Sequence, residues 1–259
     1  MSDAQRQHSR DFVASLDKGL RVLQCFERRH SKLNLSEVAR LTGYSPAAAR
    51  RFLMTLQTLG YLDSDGKRFW VTPRTLLLAR PYLASRPAPQ LAQPILDALA
   101  ERTRQSASLG LLLDDEVLII ARSTGRRTLS TGLGIGSRLP AYCSALGRAW
   151  LSTLPEDEAM RCLAKASFEA WTPRTVQDLA GAVEGVSRCR SRGWADCDEE
   201  LEMGVRSIAV PVRNAAGRTL AAVSLSVRAE RMTLQAFQLA HLAAIEDAAR
   251  HLGASIGLD

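Results

Sequence analysis

The sequence has no apolar run that approaches the roughly 20 residues needed to cross a bilayer. Its N-terminus, MSDAQRQHSRD, is polar and carries no signal-peptide core. The five cysteines are odd in number and scattered, and they form no CxxC pair. They are Cys25, Cys143, Cys162, Cys189 and Cys197. We therefore expect a cytoplasmic protein with reduced, mostly buried thiols and without a disulfide framework, a zinc site or a membrane segment.

Signatures of an enzyme are also missing. There is no GxSxG nucleophile elbow, and Cys143 followed by Ser144 resembles a nucleophile only by composition. The spacing of Gly132, Gly134 and Gly136 is not that of a GxGxxG dinucleotide loop. The histidines are His8, His30, His241 and His251, in a predicted tail, a loop and the terminal helix. The sequence thus predicts no catalytic residue and no cofactor.

One acidic run is a candidate metal site. It comprises Asp196, Asp198, Glu199, Glu200 and Glu202. Carboxylates bind divalent cations, but carboxylates without neighbouring histidines are more typical of a solvated loop surface. We therefore predict a loop surface here and no metal site.

Two predicted helices joined by a tight turn lie within residues 33–58, LNLSEVARLTGYSPAAARRFLMTLQT. We expect Ser36 to cap the first helix, and Gly43 allows the chain to turn sharply. Ser45 is expected to cap the second helix, with Pro46 at its first position. The second helix has a predicted core stripe of Ala49, Phe52, Leu53, Leu56 and Leu59. Its other face carries small residues beside two arginines, which suits close approach to a DNA major groove.

A third helix and a hairpin complete the layout of a winged helix-turn-helix. The helix is predicted over Leu16 to Glu27, with an apolar stripe of Leu16, Leu20, Leu23 and Phe26. Asp65 and Gly66 signal a hairpin turn, and the basic residues after it would contact phosphate. An ordinary amphipathic helical hairpin is the alternative, which these two elements disfavour. The predicted DNA-binding residues are Ser36, Ser45, Ala47, Ala48, Arg50, Arg51, Lys67 and Arg68.

The charge distribution agrees with this placement. The first 90 residues hold 15 Lys or Arg against 7 Asp or Glu, whereas the remaining 169 residues hold 19 against 20. The net charge of +7 is therefore concentrated in the N-terminal third. A basic block that coincides with a helix-turn-helix indicates binding to double-stranded DNA.

The chain is long enough for two domains. We predict a disordered tail at 1–10, a winged helix-turn-helix domain at 11–72, a linker helix at 73–90 and an α+β sensor-like domain at 91–259, with strands in antiparallel pairs. Pro81 is expected to interrupt the linker helix. Its apolar Leu76, Leu77, Leu78 and Leu83 either form a dimer contact or pack back on the winged helix.

Polar groups mark a candidate ligand site in the second domain. Two loops carry them where the chain leaves apolar elements, and these groups are Arg138, Tyr142, Ser144, Asp198, Arg206 and Ser207. Ser224 and Ser226 alternate with apolar residues in a predicted strand, so both serines point to one face. Two hydroxyls with an arginine nearby suit a small anionic ligand, and an exposed polar sheet face is the alternative.

The quoted helix-turn-helix segment, the upstream FVASLDKGLRVLQCF and the C-terminal motifs GSRLPAYCSALGRAWLS and RGWADCDEELEMGVRSIAVPVRNAAGR resemble the IclR family of bacterial transcription regulators. The resemblance covers nearly the whole chain from about Asp11, and the C-terminal motifs are most similar to the PcaR, PcaU and PobR group. It implies a sequence-specific DNA-binding regulator, as a dimer or dimer of dimers on an imperfect palindromic operator. It also implies an aromatic-acid or dicarboxylate effector from catabolism of protocatechuate, 4-hydroxybenzoate or β-ketoadipate. A small-molecule enzyme with a fused DNA-binding head is the alternative function.

The same resemblance implies a GAF-like effector domain that binds its ligand between an antiparallel sheet and the loops. The family's small-residue turn falls on Ala145, Leu146, Gly147 and Arg148, and further pocket positions fall on Cys197 or Asp198. The predicted effector-binding residues are Arg138, Tyr142, Ser144, Ala145, Leu146, Cys197, Asp198, Arg206, Ser207, Ser224 and Ser226.

Overall fold

The computed structural model describes residues 11–26, 30–85, 88–124 and 132–256. The chain divides into two compact units, Met1–Ser85 and Arg86–Asp259, each with its own core. The linker predicted at 73–90 spans this division, and the tail predicted at 1–10 lies outside the described residues. Within the described ranges, no helix combines the length and the apolar composition that crossing a bilayer requires.

The N-terminal unit is a winged helix-turn-helix. Its elements are α1 (Ala14–Gln24), β1 (Leu33–Asn34), α2 (Leu35–Thr42), α3 (Pro46–Thr58), β2 (Leu62–Ser64), β3 (Arg68–Val71) and, after a 3-10 turn at Pro73–Thr75, α4 (Leu76–Ser85). The three strands form one antiparallel sheet in the order β1-β3-β2. Val22, Val38, Leu53 and Leu62 meet in the core between the helices and the hairpin.

The cap of α2 differs from the prediction. Asn34, not Ser36, caps this helix: its side chain accepts a hydrogen bond from the backbone of Glu37 at 3.0 Å, and the Glu37 carboxylate accepts one from the backbone of Asn34 at 2.7 Å. This capping box requires an acid three residues after the cap, which Asn34 has and Ser36 lacks. By contrast, the predicted cap of α3 is confirmed, because Ser45 Oγ accepts from the Ala48 backbone at 3.3 Å.

The apolar stripe predicted for α1 is confirmed at Leu23 and Phe26, which pack against the core, and is wrong at Leu16 and Leu20. Leu16 and Leu20 are 62% and 45% exposed, whereas Val22 is fully buried against α3. Apolar residues occur on more than one side of α1, and the small core covers Val22 and the residues that follow it but not the first turns of the helix. Leu59 is exposed for a similar reason, because it lies at the C-cap of α3 beyond the packed turns.

The predicted linker helix also differs in detail. Pro81 lies inside α4 and does not interrupt it. Every residue of α4 is exposed, and Leu76 reaches 73%. These leucines therefore do not pack back on the winged helix.

The C-terminal unit is an α+β domain built on one antiparallel sheet. Its elements are α5 (Ala88–Thr103), β4 (Ser106–Leu113), β5 (Glu116–Ser123), β6 (Arg138–Pro140), α6 (Ala145–Leu151), α7 (Glu156–Leu163), α8 (Leu179–Arg192), β7 (Ala195–Asp198), β8 (Val205–Arg213), β9 (Thr219–Arg228) and α9 (Leu234–Ile256). The sheet order is β6-β5-β4-β9-β8-β7. This confirms the predicted α+β fold class with strands in antiparallel pairs.

The two faces of this sheet are covered differently. On one face, α5 and α9 pack against a large apolar core that includes Leu109, Val223 and Phe237. On the other face, the short helix α6 packs through Leu146 and Ala149 on a smaller cluster. The second face also carries the polar residues that make the domain a ligand-binding candidate.

Candidate DNA interface and effector site

The exposed face of α3 presents the residues predicted to contact DNA. Ala49, Leu53 and Leu56 point into the core, which turns Arg50 and Arg51 outward. Ala47 and Ser45 are also exposed, and Ala48 is half-buried; Ser36 is exposed on the preceding helix. The short side chains at the start of α3 leave room for the close approach of a nucleic-acid backbone.

The hairpin between β2 and β3 is held by an aspartate at its tip. The Asp65 carboxylate accepts hydrogen bonds from the backbone amides of Lys67 and Arg68, at 2.9 and 2.8 Å. These bonds lower the pKa of Asp65. Gly66 has a φ of +89°, which its missing side chain permits. The result is a tight wing tip from which Lys67 and Arg68 project into solvent.

A groove of about 330 Å³ lies between α3 and this wing. Arg50 and Lys67 contribute to its walls, and Met54 and Gln57 line the α3 side. The predicted helix residue and the predicted wing residue thus meet at one surface. That surface has the cationic character needed to hold a phosphate backbone.

In the C-terminal unit, strand register collects five serines on one sheet face. Ser106 pairs with Ser226, which pairs with Ser207, and the next row pairs Ser108 with Ser224. Directly paired residues of antiparallel strands share a face, as do residues two apart along one strand. Three of these serines, Ser106, Ser108 and Ser224, are buried. The alternative of an exposed polar sheet face is therefore wrong.

Some predicted effector residues lie next to this serine face. Ala145 and Leu146 of α6 pack in the same cluster as Cys197, which pairs with Ser207 across β7 and β8. Ser144 caps α6 by accepting from the Gly147 backbone at 3.1 Å. Burial raises the pKa of Cys197 to about 11, so this thiol stays neutral near pH 7.

Other predicted effector residues are engaged elsewhere. Tyr142 is buried in a separate cluster and donates to the Glu169 carbonyl at 2.7 Å. Arg138 lies on the edge strand β6, where it is exposed and paired with Glu116. Neither side chain is brought to the serine rows by the contacts observed.

Arg206 and Asp198 form a pair on the opposite side of the sheet. Alternation along β8 places Arg206 on the opposite side from Ser207. Its guanidinium donates to Asp198 at 2.6 Å and to the backbone carbonyls of Ala229 and Met232. Arg206 thus ties together β7, β8 and the segment before α9, and it does not point to the serine face.

One arginine on the serine face, Arg122, is a residue that the sequence did not single out. Arg122 pairs in register with Ser108, and its Nη1 donates to Ser108 Oγ at 2.6 Å. The segment EVLIIAR shows a run of apolar residues, so the face of its last residue depends on the register between β4 and β5. That register contains a bulge between Leu109 and Gly110, which the sequence pattern does not reveal.

The acidic run predicted as a solvated loop surface is mostly engaged in ion pairs. Glu200 receives two hydrogen bonds from the guanidinium of Arg148, at 2.5 and 2.6 Å. Arg148 is 3% exposed and also donates to the carbonyls of Tyr142 and Asp196. Burial alone would lower the pKa of Arg148, but the carboxylate of Glu200 raises it. The prediction failed at Glu200 because its partner Arg148 is 52 residues away in sequence.

Asp196, Asp198 and Glu199 also form ion pairs with arginines, whereas Glu202 is exposed. Glu199 is buried near Arg174, and Asp196 pairs with Arg192. In the part of the chain that the structure describes, no group of three His, Cys, Asp or Glu side chains is arranged to hold a metal ion. The five cysteines are free thiols, three of them buried.

Comparison with known proteins identifies the family. Residues 15–66 match the IclR helix-turn-helix domain, and residues 81–254 match the bacterial transcriptional regulator IclR C-terminal domain. The Pca regulon regulatory protein of Pseudomonas putida is 38% identical over 243 residues, which cover 93% of this chain and 84% of that protein. The p-hydroxybenzoate hydroxylase transcriptional activator of Acinetobacter baylyi is 36% identical over 87% of this chain and 85% of its own length.

A solved structure supports the fold. An IclR homologue from Microbacterium hydrocarbonoxydans, crystallised with 4-hydroxybenzoate, superposes with a TM-score of 0.72 at 22% identity. The alignment covers 95% of this chain and all of that chain. With the winged helix-turn-helix and the antiparallel effector domain described above, these matches show that the chain belongs to the IclR family of bacterial transcriptional regulators.

Proposed function

We propose that this IclR-type regulator binds a small organic acid on the serine face of its C-terminal sheet and thereby changes its binding to an operator. The acid is an aromatic acid of the 4-hydroxybenzoate or protocatechuate type, or β-ketoadipate. The observation that carries the proposal is the burial of serine hydroxyls on a sheet face, where Ser106 Oγ has no hydrogen-bond partner among the described residues and a ligand can supply one. The names of the two relatives agree with this effector class.

The first test is fluorescence anisotropy with the DNA upstream of the gene, titrated across salt concentrations. We expect specific, salt-dependent binding that 4-hydroxybenzoate, protocatechuate or β-ketoadipate alters. Binding that ignores all three acids would leave the regulator in place and refute the effector class. No enzymatic step is proposed. A DNA-binding regulator of a bacterium works in the cytoplasm, and we place this protein there.

We also propose that the regulator acts as a homodimer or a dimer of dimers, so that two winged helices read the half-sites of a palindrome. The exposed apolar residues of α1 and α4 support this, because a large apolar surface on a monomer is unfavourable in water. Light scattering of the full chain should give a mass of two or four chains. Replacing Leu76 with Glu should reduce it.

The serine pair gives a direct prediction for effector binding. Ser226→Ala removes a hydroxyl that lies 2.9 Å from Ser207 Oγ on the proposed pocket face. A hydrogen bond between neutral groups is worth about 0.5 to 1.5 kcal/mol, so we expect effector affinity to fall roughly two- to tenfold. Calorimetry measures the affinity, and DNA binding without effector should not change. Ser187→Ala on the exposed side of α8 is the control, and an equal affinity of both variants would remove Ser226 from the pocket.

A further inference from the structure

Positive charge is unevenly distributed over the serine face. Two rows cross it: Ser106, Ser226, Ser207 and Cys197 in one, and Arg122, Ser108, Ser224 and Ala209 in the other. Arg122 stands at the β5 end of the second row and places a guanidinium beside neutral hydroxyls. The second row therefore has a cationic end at Arg122, and Arg228 lies on the same face two residues beyond Ser226 along β9.

The position of the guanidinium is fixed by contact with the serine rows. Its Nη1 donates to Ser108 Oγ at 2.6 Å, and Ser108 itself is buried between β5 and β9. The neighbouring Ser106 is 1% exposed, and its hydroxyl has no hydrogen-bond partner among the residues that the structure describes. A buried hydroxyl without a partner is costly, which points to a polar ligand atom at this place.

We propose that Arg122, supported by Ser108, binds the carboxylate of the effector, and that the hydroxyl-bearing end of the ligand lies toward Ser106 and Ser226. This proposal rests on the proposed function and deepens it. It assigns the anion-binding role to a residue on β5 and not to Arg138 or Arg206, which are engaged at the sheet edge and on the opposite side. It also predicts that one carboxylate of the ligand is required for tight binding.

The electrostatics of the site support this assignment. Burial lowers the pKa of Arg122, so this environment disfavours the cation relative to water. A carboxylate beside the guanidinium would stabilise that charge, and the planar fork of arginine matches the two oxygens of a carboxylate. A neutral amide of the same shape gains much less from the same neighbour.

The test compares an acid with its uncharged analogue. Calorimetry measures the affinities of 4-hydroxybenzoate and 4-hydroxybenzamide for the full-length wild-type protein and for Arg122→Gln. In the wild type we expect the acid to bind at least about tenfold more tightly, because a hydrogen bond to a charged group is the stronger one. In Arg122→Gln the ratio of the acid's affinity to the amide's affinity should fall to one or below, because desolvating a carboxylate without a cation is unfavourable. A ratio that stays at the wild-type value in this variant overturns the proposal.

Two matched variants test which arginine binds the carboxylate of the ligand. Arg138→Gln removes an exposed arginine from the edge of the same sheet and should leave the ratio unchanged. Arg228 lies on the serine face by alternation along β9, two residues beyond Ser226, so Arg228→Gln tests the other end of the rows. If the ratio collapses in Arg228→Gln and not in Arg122→Gln, the carboxylate binds at that end and the assignment to Arg122 is wrong.

Further measurements separate this proposal from the proposed function and from misfolding. If the wild-type protein binds neither 4-hydroxybenzoate, protocatechuate nor β-ketoadipate, both the effector class and the role of Arg122 fail. If the acids bind but the ratio survives in Arg122→Gln, only the role of Arg122 fails. Circular dichroism checks folding. If Arg122→Gln does not fold, Ser108→Ala is measured in its place. A reduced acid-to-amide affinity ratio in Ser108→Ala supports the proposal, and a wild-type ratio overturns it.

Discussion

Replacing Arg50 and Arg51 together with Ala is expected to abolish specific operator binding. Both side chains project from the exposed face of α3, and Arg50 lines the groove next to the wing. An arginine that contacts a base is worth about 1 to 3 kcal/mol, so the double change should weaken binding by roughly 30-fold or more. Anisotropy across a salt series measures this loss, and the salt dependence should also become shallower. Alanine favours helices, so the fold should persist.

A charge-matched control separates contact from net charge. Arg161 and Arg188 are exposed in the C-terminal unit, each in an ion pair with an acid four residues away on its own helix. Changing both to Ala removes the same two positive charges. We expect this control to keep operator affinity close to the wild-type value. Equal losses in the two double variants would show that α3 does not present these arginines to DNA.

The second large effect is expected from Glu200→Ala. This change leaves the guanidinium of Arg148 buried at 3% exposure without its carboxylate. Breaking a buried ion pair by removing one partner typically costs about 3 to 5 kcal/mol in the free energy of unfolding. Urea denaturation followed by tryptophan fluorescence measures this, because Trp150, Trp171 and Trp194 all lie in the C-terminal unit.

Two comparisons test the reason for that loss. Glu184→Ala removes one partner of an exposed pair on α8, where both side chains are more than half exposed, and should cost at most about 0.5 kcal/mol. Combining Glu200→Ala with Arg148→Met removes the stranded charge and should recover part of the stability. If Glu200→Ala is no more harmful than Glu184→Ala, the pair does not hold α6 to the strand β7 and its following loop.

Local patterns predicted much of the fold. The alternation of Ser224 and Ser226 with apolar residues predicted a strand and the shared side of both serines, because strand periodicity is a property of the backbone. The α3 cap was also correct, since Ser45 followed by Pro46 is a local signal. These features depend only on residues near each other in the chain.

Features that depend on distant partners were missed. The role of Glu200 requires Arg148, which is 52 residues away in sequence. The orientation of Arg122 requires the register of β4 and β5, including its bulge. Arg206 looked like a ligand-binding residue, but the carbonyls that it binds become neighbours only after folding. A single sequence contains no direct signal for such pairings.

The proposed binding of the effector on the serine rows has a consequence for how specificity can change. A serine hydroxyl rotates freely about one bond and can serve as donor or acceptor, so one arrangement of backbone strands can satisfy differently substituted rings. Small hydroxyls also leave space that larger side chains at the same positions would fill. Single substitutions within these rows should therefore redirect recognition without rebuilding the domain, which makes the sheet face a convenient starting point for selecting biosensors of new acids.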